Sequence, residues 1–110
     1  MYVSLTEKGY LAAGGSTIWG PVRLEGQSTV TLSGNLITQG GTGSSVTHSL
    51  EITYDGETWT SSGTTLVLST APSFNTSSLS ACTAVAVRVR STQGGTGAVF
   101  YACGISISRN

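Results

Sequence analysis

Residues 83–108, TAVAVRVRSTQGGTGAVFYACGISIS, decide the fold. Val85, Val87 and Val89 alternate with Ala86, Arg88 and Arg90. Val99, Tyr101, Cys103, Ile105 and Ile107 alternate with Phe100, Ala102, Gly104, Ser106 and Ser108. Successive side chains of an extended chain point to opposite faces, so this period of two marks two half-buried strands. The first set in each strand is expected to face a core, and the arginines to face solvent or a partner. TQGGTG at 92–97 separates the two runs. Its glycines reach the positive φ angles of tight turns, so the whole stretch reads as a hairpin.

The same period continues outward from this stretch. Residues 29–38 alternate through Val30 and Leu32, and 46–54 put Val46, His48, Leu50, Ile52 and Tyr54 on one face. Residues 58–60 and 64–68 are shorter strand candidates. Residues 17–24 form another, interrupted at Gly20-Pro21, where a residue without an N–H predicts an edge or a bulge. Asp55-Gly56 predicts a two-residue type I′ turn. Residues 69–80 (STAPSFNTSSLS) predict the longest irregular connection, crossing between sheets, with Phe74 and Leu79 pinning it to the core. The glycosylation-type triplet Asn75-Thr76-Ser77 reads there as a turn element. Turn signals at intervals of about ten residues predict an all-β fold. The expectation is an antiparallel β-sandwich of about seven to eight strands, jelly-roll or Ig-like.

One domain over 16–110 is expected, preceded by a segment, 1–15, rich in apolar side chains before a Gly-Gly pair. That segment is either the first strand or an arm that docks on a neighbour. Tyr2, Leu5 and Tyr10 are its candidate contacts.

TQGGTG also occurs at 38–43, 54 residues before its second copy. Two hairpins with similar turn chemistry account for the repeat. The alternative is a pair of equivalent loops at one end of the sandwich that meet a partner together, with Gln39 and Gln93 as contact candidates. If 92–97 closes a hairpin, Cys103 lies opposite residue 87 or 88. Cys82 is then roughly 17 Å further along at strand rise, well beyond the ~7 Å between Cα atoms that a disulfide tolerates. Two free thiols are expected, with Cys103 in the core and synthesis in a reducing cytoplasm.

Composition narrows function by exclusion. Five Lys+Arg balance five Asp+Glu, and only 9% of residues are charged, against about 25% in an average domain. A nucleic-acid surface needs an excess of Lys and Arg to displace counterions, and so does a basic membrane patch. Neither partner is expected. No apolar run approaches the ~20 residues of a membrane-spanning helix, and residues 1–11 lack the pattern of a secretory leader. The single histidine, His48, and the single aspartate, Asp55, are isolated, with no metal-ligand spacing and no G-x-S-x-G elbow. His48 therefore reads as an ordinary strand residue. The chain is not expected to be an enzyme or to hold a metal or cofactor.

Two resemblances add to this reading. Asp55-Gly56-Glu57-Thr58-Trp59 looks like the DG-x-x-W hairpin of β-sandwich modules, including discoidin-like carbohydrate-binding domains. It also approaches the Asp-box of sialidases, one residue short between Asp55 and Gly56. In those folds the motif is mainly structural, which implies that Trp59 packs across the hairpin. More broadly, GPVRLEGQSTVTLSG (20–34), then the DGETW strand, then 83–108, is similar in order to small β-sandwich virion proteins of tailed bacteriophages. The resemblance spans the chain from about residue 15 onward. It implies a capsid decoration or cement protein on the virion surface, made in the host cytoplasm. Its partner would be the major capsid protein, and it would be a homo-oligomer, taken as a trimer. A carbohydrate-binding module using Trp19 or a tyrosine as a stacking platform is the alternative, and a tail or baseplate component is a third.

Overall fold

A computed structural model describes residues 1–41 and 43–109. Among these, eight strands form: β1 (Tyr2–Leu11), β2 (Ser16–Arg23), β3 (Thr29–Gln39), β4 (Ser45–Thr53), β5 (Trp59–Leu68), β6 (Ser73–Leu79), β7 (Ala86–Gly94) and β8 (Val99–Ser108). They build two four-stranded antiparallel sheets. The front sheet has the order β1-β8-β3-β6 and the back sheet β2-β7-β4-β5. This eight-stranded order is the jelly roll rather than the seven-stranded Ig arrangement. Residues 1–15 contain a strand of the sandwich. β1 pairs with β8 from Tyr2↔Ser106 to Leu11↔Val99, and the Met1 ammonium donates to the Ile107 carbonyl at 2.8 Å.

Alternation supplies the core. Val30, Leu32 and Leu36 of β3, Val46 and Leu50 of β4, Val87 and Val89 of β7, and five alternate residues of β8 all turn inward. Each such side chain contributes about 1.5–3 kcal/mol of burial. The interior divides into two clusters. One gathers Leu32, Leu50, Val87, Val89, Ile105 and Ile107, among others. The other gathers Leu11, Leu36, Val46, Leu68, Val99, Tyr101 and Cys103. Between them lies a polar layer. His48 sits between Val46 and Leu50 on β4 and bonds through Nδ1 to Ser91 Oγ at 2.7 Å. Gly34 sits between Leu32 and Leu36 on β3, and a Cβ there would lie 3.0 Å from the imidazole. A bare glycine is thus what leaves room for the ring. Tyr101 stacks obliquely on His48, with centroids 5.2 Å apart, and accepts the Trp19 indole N–H at 3.0 Å.

Neither TQGGTG copy closes a hairpin. The first links β3 in the front sheet to β4 in the back sheet; the second links β7 in the back sheet to β8 in the front. Thr42 of the first copy lies outside the described residues. The reason for the repeat is architectural. Exchanging β1 with β5, β2 with β6, β3 with β7 and β4 with β8 turns one sheet order into the other, so the two loops occupy equivalent places. They pack against each other at one end. Gly40 N–H donates to the Ala98 carbonyl at 2.9 Å, and Gly97 N–H to Ser44 Oγ at 2.8 Å. A Cβ on Gly97 would run into the Gly40 carbonyl.

Other sequence expectations are corrected. Cys82 and Cys103 are free and Cys103 is in the core, as expected, and Cys82 is buried too, but Cys103 pairs with Gly34 and Thr6, because 92–97 crosses between sheets. Residues 73–79, read as irregular, form edge strand β6 against β3, so Asn75-Thr76-Ser77 is strand and not turn. Phe74 points to solvent, whereas Leu79 does pack on the core. Val85 lies before β7 and is exposed. Tyr54 is exposed as well: Ile52 still packs on the core, but β4 ends at Thr53 and Tyr54 lies in the bend after the strand. Residues 58–60 and 64–68 are one strand. Asp55 has no positive φ, so the turn is not type I′. The carboxylate instead accepts Glu57 N–H and Thr58 N–H at 2.8 Å and the Thr53 hydroxyl at 3.1 Å. These bonds, Thr58 N–H foremost, hold the Asp55 pKa down at about 2. The Gly20-Pro21 expectation stands: β2 is an edge strand, and its ladder shifts between Trp19 and Val22.

Candidate docking face

The outer surface of the front sheet gathers unpartnered apolar side chains. Tyr2 and Tyr10 come from β1, Ile37 from β3, Phe74 from β6 and Phe100 from β8, and all five are exposed. Local chain geometry turns each one out. Phe100 alternates with inward Val99 and Tyr101. Ile37 follows buried Leu36 and continues the outward set of Ser33 and Asn35 on β3 by simple alternation. Phe74 pairs with Asn35 on the edge of the sheet.

These side chains frame a floor of small ones. Asn35 lies between Ala102 on one side and Phe74 on the other, and Ser33 between Gly104 and Thr76. Tyr2 leans inward, with its hydroxyl over Gly104, where a Cβ would collide with it. The result is a shallow depression lined by Tyr2, Ser33, Asn35, Phe74 and Ala102. Three interstrand spacings separate β1 from β6, roughly 14 Å of sheet. At the far end, Tyr10 and Phe100 face each other across the β1–β8 ladder, ring centroids 4.9 Å apart and planes inclined by 53°. Lys8 borders a second depression there with Ile37, Thr38 and Phe100. β3, β6 and β8 carry no charged residue; Glu7 and Lys8 on β1 are the charges of the front sheet's strands.

Of the sequence-derived contact candidates, Tyr2 and Tyr10 lie on this face. Leu5 packs inward against both core clusters. Trp19 is half-buried on the core, with its N–H taken by Tyr101. Gln93 is only 5% exposed, and its amide accepts Gly14 N–H at 2.7 Å and donates to the Gly95 and Gly97 carbonyls. Gln39 does the equivalent job in the first loop, donating to the Ser44 and Ser69 carbonyls and accepting Ala71 N–H. Both glutamines therefore brace loops, and burial takes Gln93 out of a partner's reach. Phe100 and Ile37 were not contact candidates from sequence, and Phe74 was expected in the core, where its 67% exposure shows it is not. Phe100 was visible as the aromatic out of phase with the inward set of β8.

The interior offers little reactivity. Burial lowers the His48 pKa to about 4 and raises the Cys103 thiol to about 11. Burial also pushes Tyr101 up. His48 Nε2 has no hydrogen-bond partner among the described residues. Among the described residues, no three His, Cys, Asp or Glu side chains converge as a metal site requires. Comparison with protein-family models and with curated proteins finds no match for this chain.

Proposed function

We propose that this chain is a structural virion protein of the capsid decoration type, and that it binds the assembled shell through the outer face of its front sheet. The observation that carries the reading is the row of five exposed apolar side chains on a sheet whose other outward residues are small and almost uncharged. Scattered apolar residues are ordinary on a surface, but a cluster of aromatics around a flat floor is the anatomy of a contact site. Its partner would be the major capsid protein, and its role would be performed by contact area. A ligand that binds only the assembled state stabilises that state by mass action, and several copies on one shell multiply the effect.

The test is co-sedimentation of the purified chain with shells of the cognate capsid protein. Wild type should pellet with the shells and raise their thermal disruption temperature, and Phe74→Ser with Phe100→Ser should do neither. Equal binding by wild type and the double variant would rule out this face.

A glycan is the second reading, supported by the two amphipathic rims of one depression. Tyr2 and Phe74 flank Ser33 and Asn35, which offer hydroxyl and amide groups between aromatic walls. Against it, Tyr10 and Phe100 are inclined rather than coplanar and make no flat stacking platform. A glycan array separates the two readings: saturable binding to a defined sugar, abolished by Asn35→Ala, favours the glycan.

A further inference from the structure

The two sheets expose four edge strands, and three are interrupted. β1 shifts register twice against β8, between Ser4 and Thr6 and between Thr6 and Gly9, and carries Glu7 and Lys8. β2 shifts between Trp19 and Val22, where Pro21 has no N–H to offer, and ends on Arg23. β5 is displaced against β4 between Ser49 and Glu51, with Gly63 at φ +85°. Bulges, prolines and charges are the devices by which proteins keep sheet edges from pairing with other chains.

β6 has none of them. It pairs with β3 at seven consecutive positions, from Val30↔Leu79 to Leu36↔Ser73, without a shift. Its sequence, SFNTSSL, contains no charge, proline or glycine. β5, beside it on the same flank, is also uncharged. An antiparallel edge strand turns alternate N–H and C=O groups outward. The Thr76 N–H donates to the neighbouring Asn75 Oδ1, at 2.8 Å, a local bond that an incoming strand can replace.

The geometry points to β6 as a self-pairing edge, whose partner is β6 of a second copy of this chain. Antiparallel pairing about a two-fold axis at Thr76 sets Thr76 against its twin, Asn75 against Ser77 and Phe74 against Ser78. Every pair is uncharged, and a formal net charge of zero removes long-range repulsion between copies. The front sheets join into one of eight strands, and the two outer faces become continuous across Phe74. Such isologous pairing closes at two copies, in place of the trimer that the virion resemblance suggested. The inference does not depend on the proposed function, because it concerns the chain alone.

The experiment is sedimentation equilibrium of the purified chain over a concentration series, with Thr76→Lys and Thr76→Glu. Thr76 is exposed, so both variants should keep the wild-type circular dichroism spectrum, and its melting midpoint at concentrations where wild type is monomeric. Wild type should approach twice its 11.2 kDa monomer mass. Each variant alone should dimerise at least about tenfold more weakly, since like charges then face each other on the axis. An equimolar mixture of the two should recover dimer. A monomeric wild type, a trimer, or a dimer indifferent to both substitutions would overturn the inference.

Discussion

The two sheets are built by the same alternation, yet their outer faces treat aromatic side chains in opposite ways. On the back sheet, Trp59 lies beneath the Arg88 guanidinium, whose central carbon is 4.4 Å from the ring centroid. Arg88 is held there by Glu51, accepting at 2.7 Å, and Glu51 also accepts from Arg90 at 3.2 Å. Burial alone would raise the Glu51 carboxyl, but these two arginines outweigh it and hold it below its usual value. The back face thus ties Trp59, Arg88, Arg90 and Glu51 into one network, and the apolar side chains it exposes, Ile18 and Val67, are aliphatic and lie apart on β2 and β5. On the front sheet Tyr2 and Phe74 stand open, 61% and 67% exposed. The difference teaches where to look for a partner: on the face whose side chains have not found one within the chain.

The largest effect should come from breaking the core that both faces share. Val87 is fully buried on β7. Val87→Asp places an unpaired carboxylate among aliphatic side chains, which costs several kcal/mol. The variant is expected to lack a cooperative thermal transition, whereas Phe100→Asp, on the front surface, is expected to retain one.

Acid should separate the sheets. His48, Glu51 and Asp55, whose titrations in the acid range are shifted, all belong to β4 or the loop after it, in the back sheet. His48 titrates near 6.5 when unfolded and near 4 when folded. Between those values the unfolded chain binds the extra proton. Stability is therefore complete above about pH 6.5 and falls as pH drops toward 4, by up to about 3 kcal/mol. The depressed Glu51 and Asp55 carboxyls contribute stability above their unfolded values that is lost as pH falls further. Urea melts from pH 7 to pH 4 measure the fall, and His48→Gln should flatten it above the carboxylate range. Hydrogen exchange should accelerate in β4 and β5 before β8. The front sheet behaves in the opposite sense, because the raised Cys103 and Tyr101 pKa values make it sensitive to base.

How far these contrasts were legible in the sequence depends on how local their causes are. The inward sets of β7 and β8 follow from alternation alone, so the fold class and most of the core could be read directly. The repeated TQGGTG could be found but not interpreted, because glycines that permit a turn do not say which sheet the next strand joins. That choice belongs to the burial of Val46 and Val99 on opposite sides of the interior. β6 escaped notice because an edge strand with one solvated face needs few apolar residues, and SFNTSSL is polar enough to pass for a loop. The docking face was half visible. Tyr2 and Tyr10 stand out in a short apolar segment, and Ile37 is out of phase with Val30 and Leu32, but a lone aliphatic next to Leu36 does not announce which of the two is buried. Phe74 reaches the surface only because β6 is a strand.

A smaller effect tests the back face. Arg88→Ala uncovers Trp59 and leaves Glu51 with Arg90 alone. A stacked cation and a partly exposed ion pair together are worth about 1 kcal/mol. The urea midpoint should fall accordingly, and Trp59 fluorescence should shift to longer wavelength as water reaches the ring. Shell binding should not change, since Arg88 lies on the opposite surface from Phe74.

The smallest effect on stability is also the most informative. Phe74→Ser with Phe100→Ser removes two exposed rings, Phe100 touching only its surface neighbour Tyr10 among aromatic rings, so the unfolding free energy should change by no more than about 0.5 kcal/mol. If the front face docks as proposed, the same rings are its anchors, and binding to shells should weaken at least about tenfold. Arg88→Ala and the double variant therefore form a crossed pair, one affecting stability and not docking, the other docking and not stability. A melt that shifts by more than 1 kcal/mol in the double variant would mean that the rings support the fold through Tyr10 and the edge of β6. The two faces would then differ in packing and not in purpose.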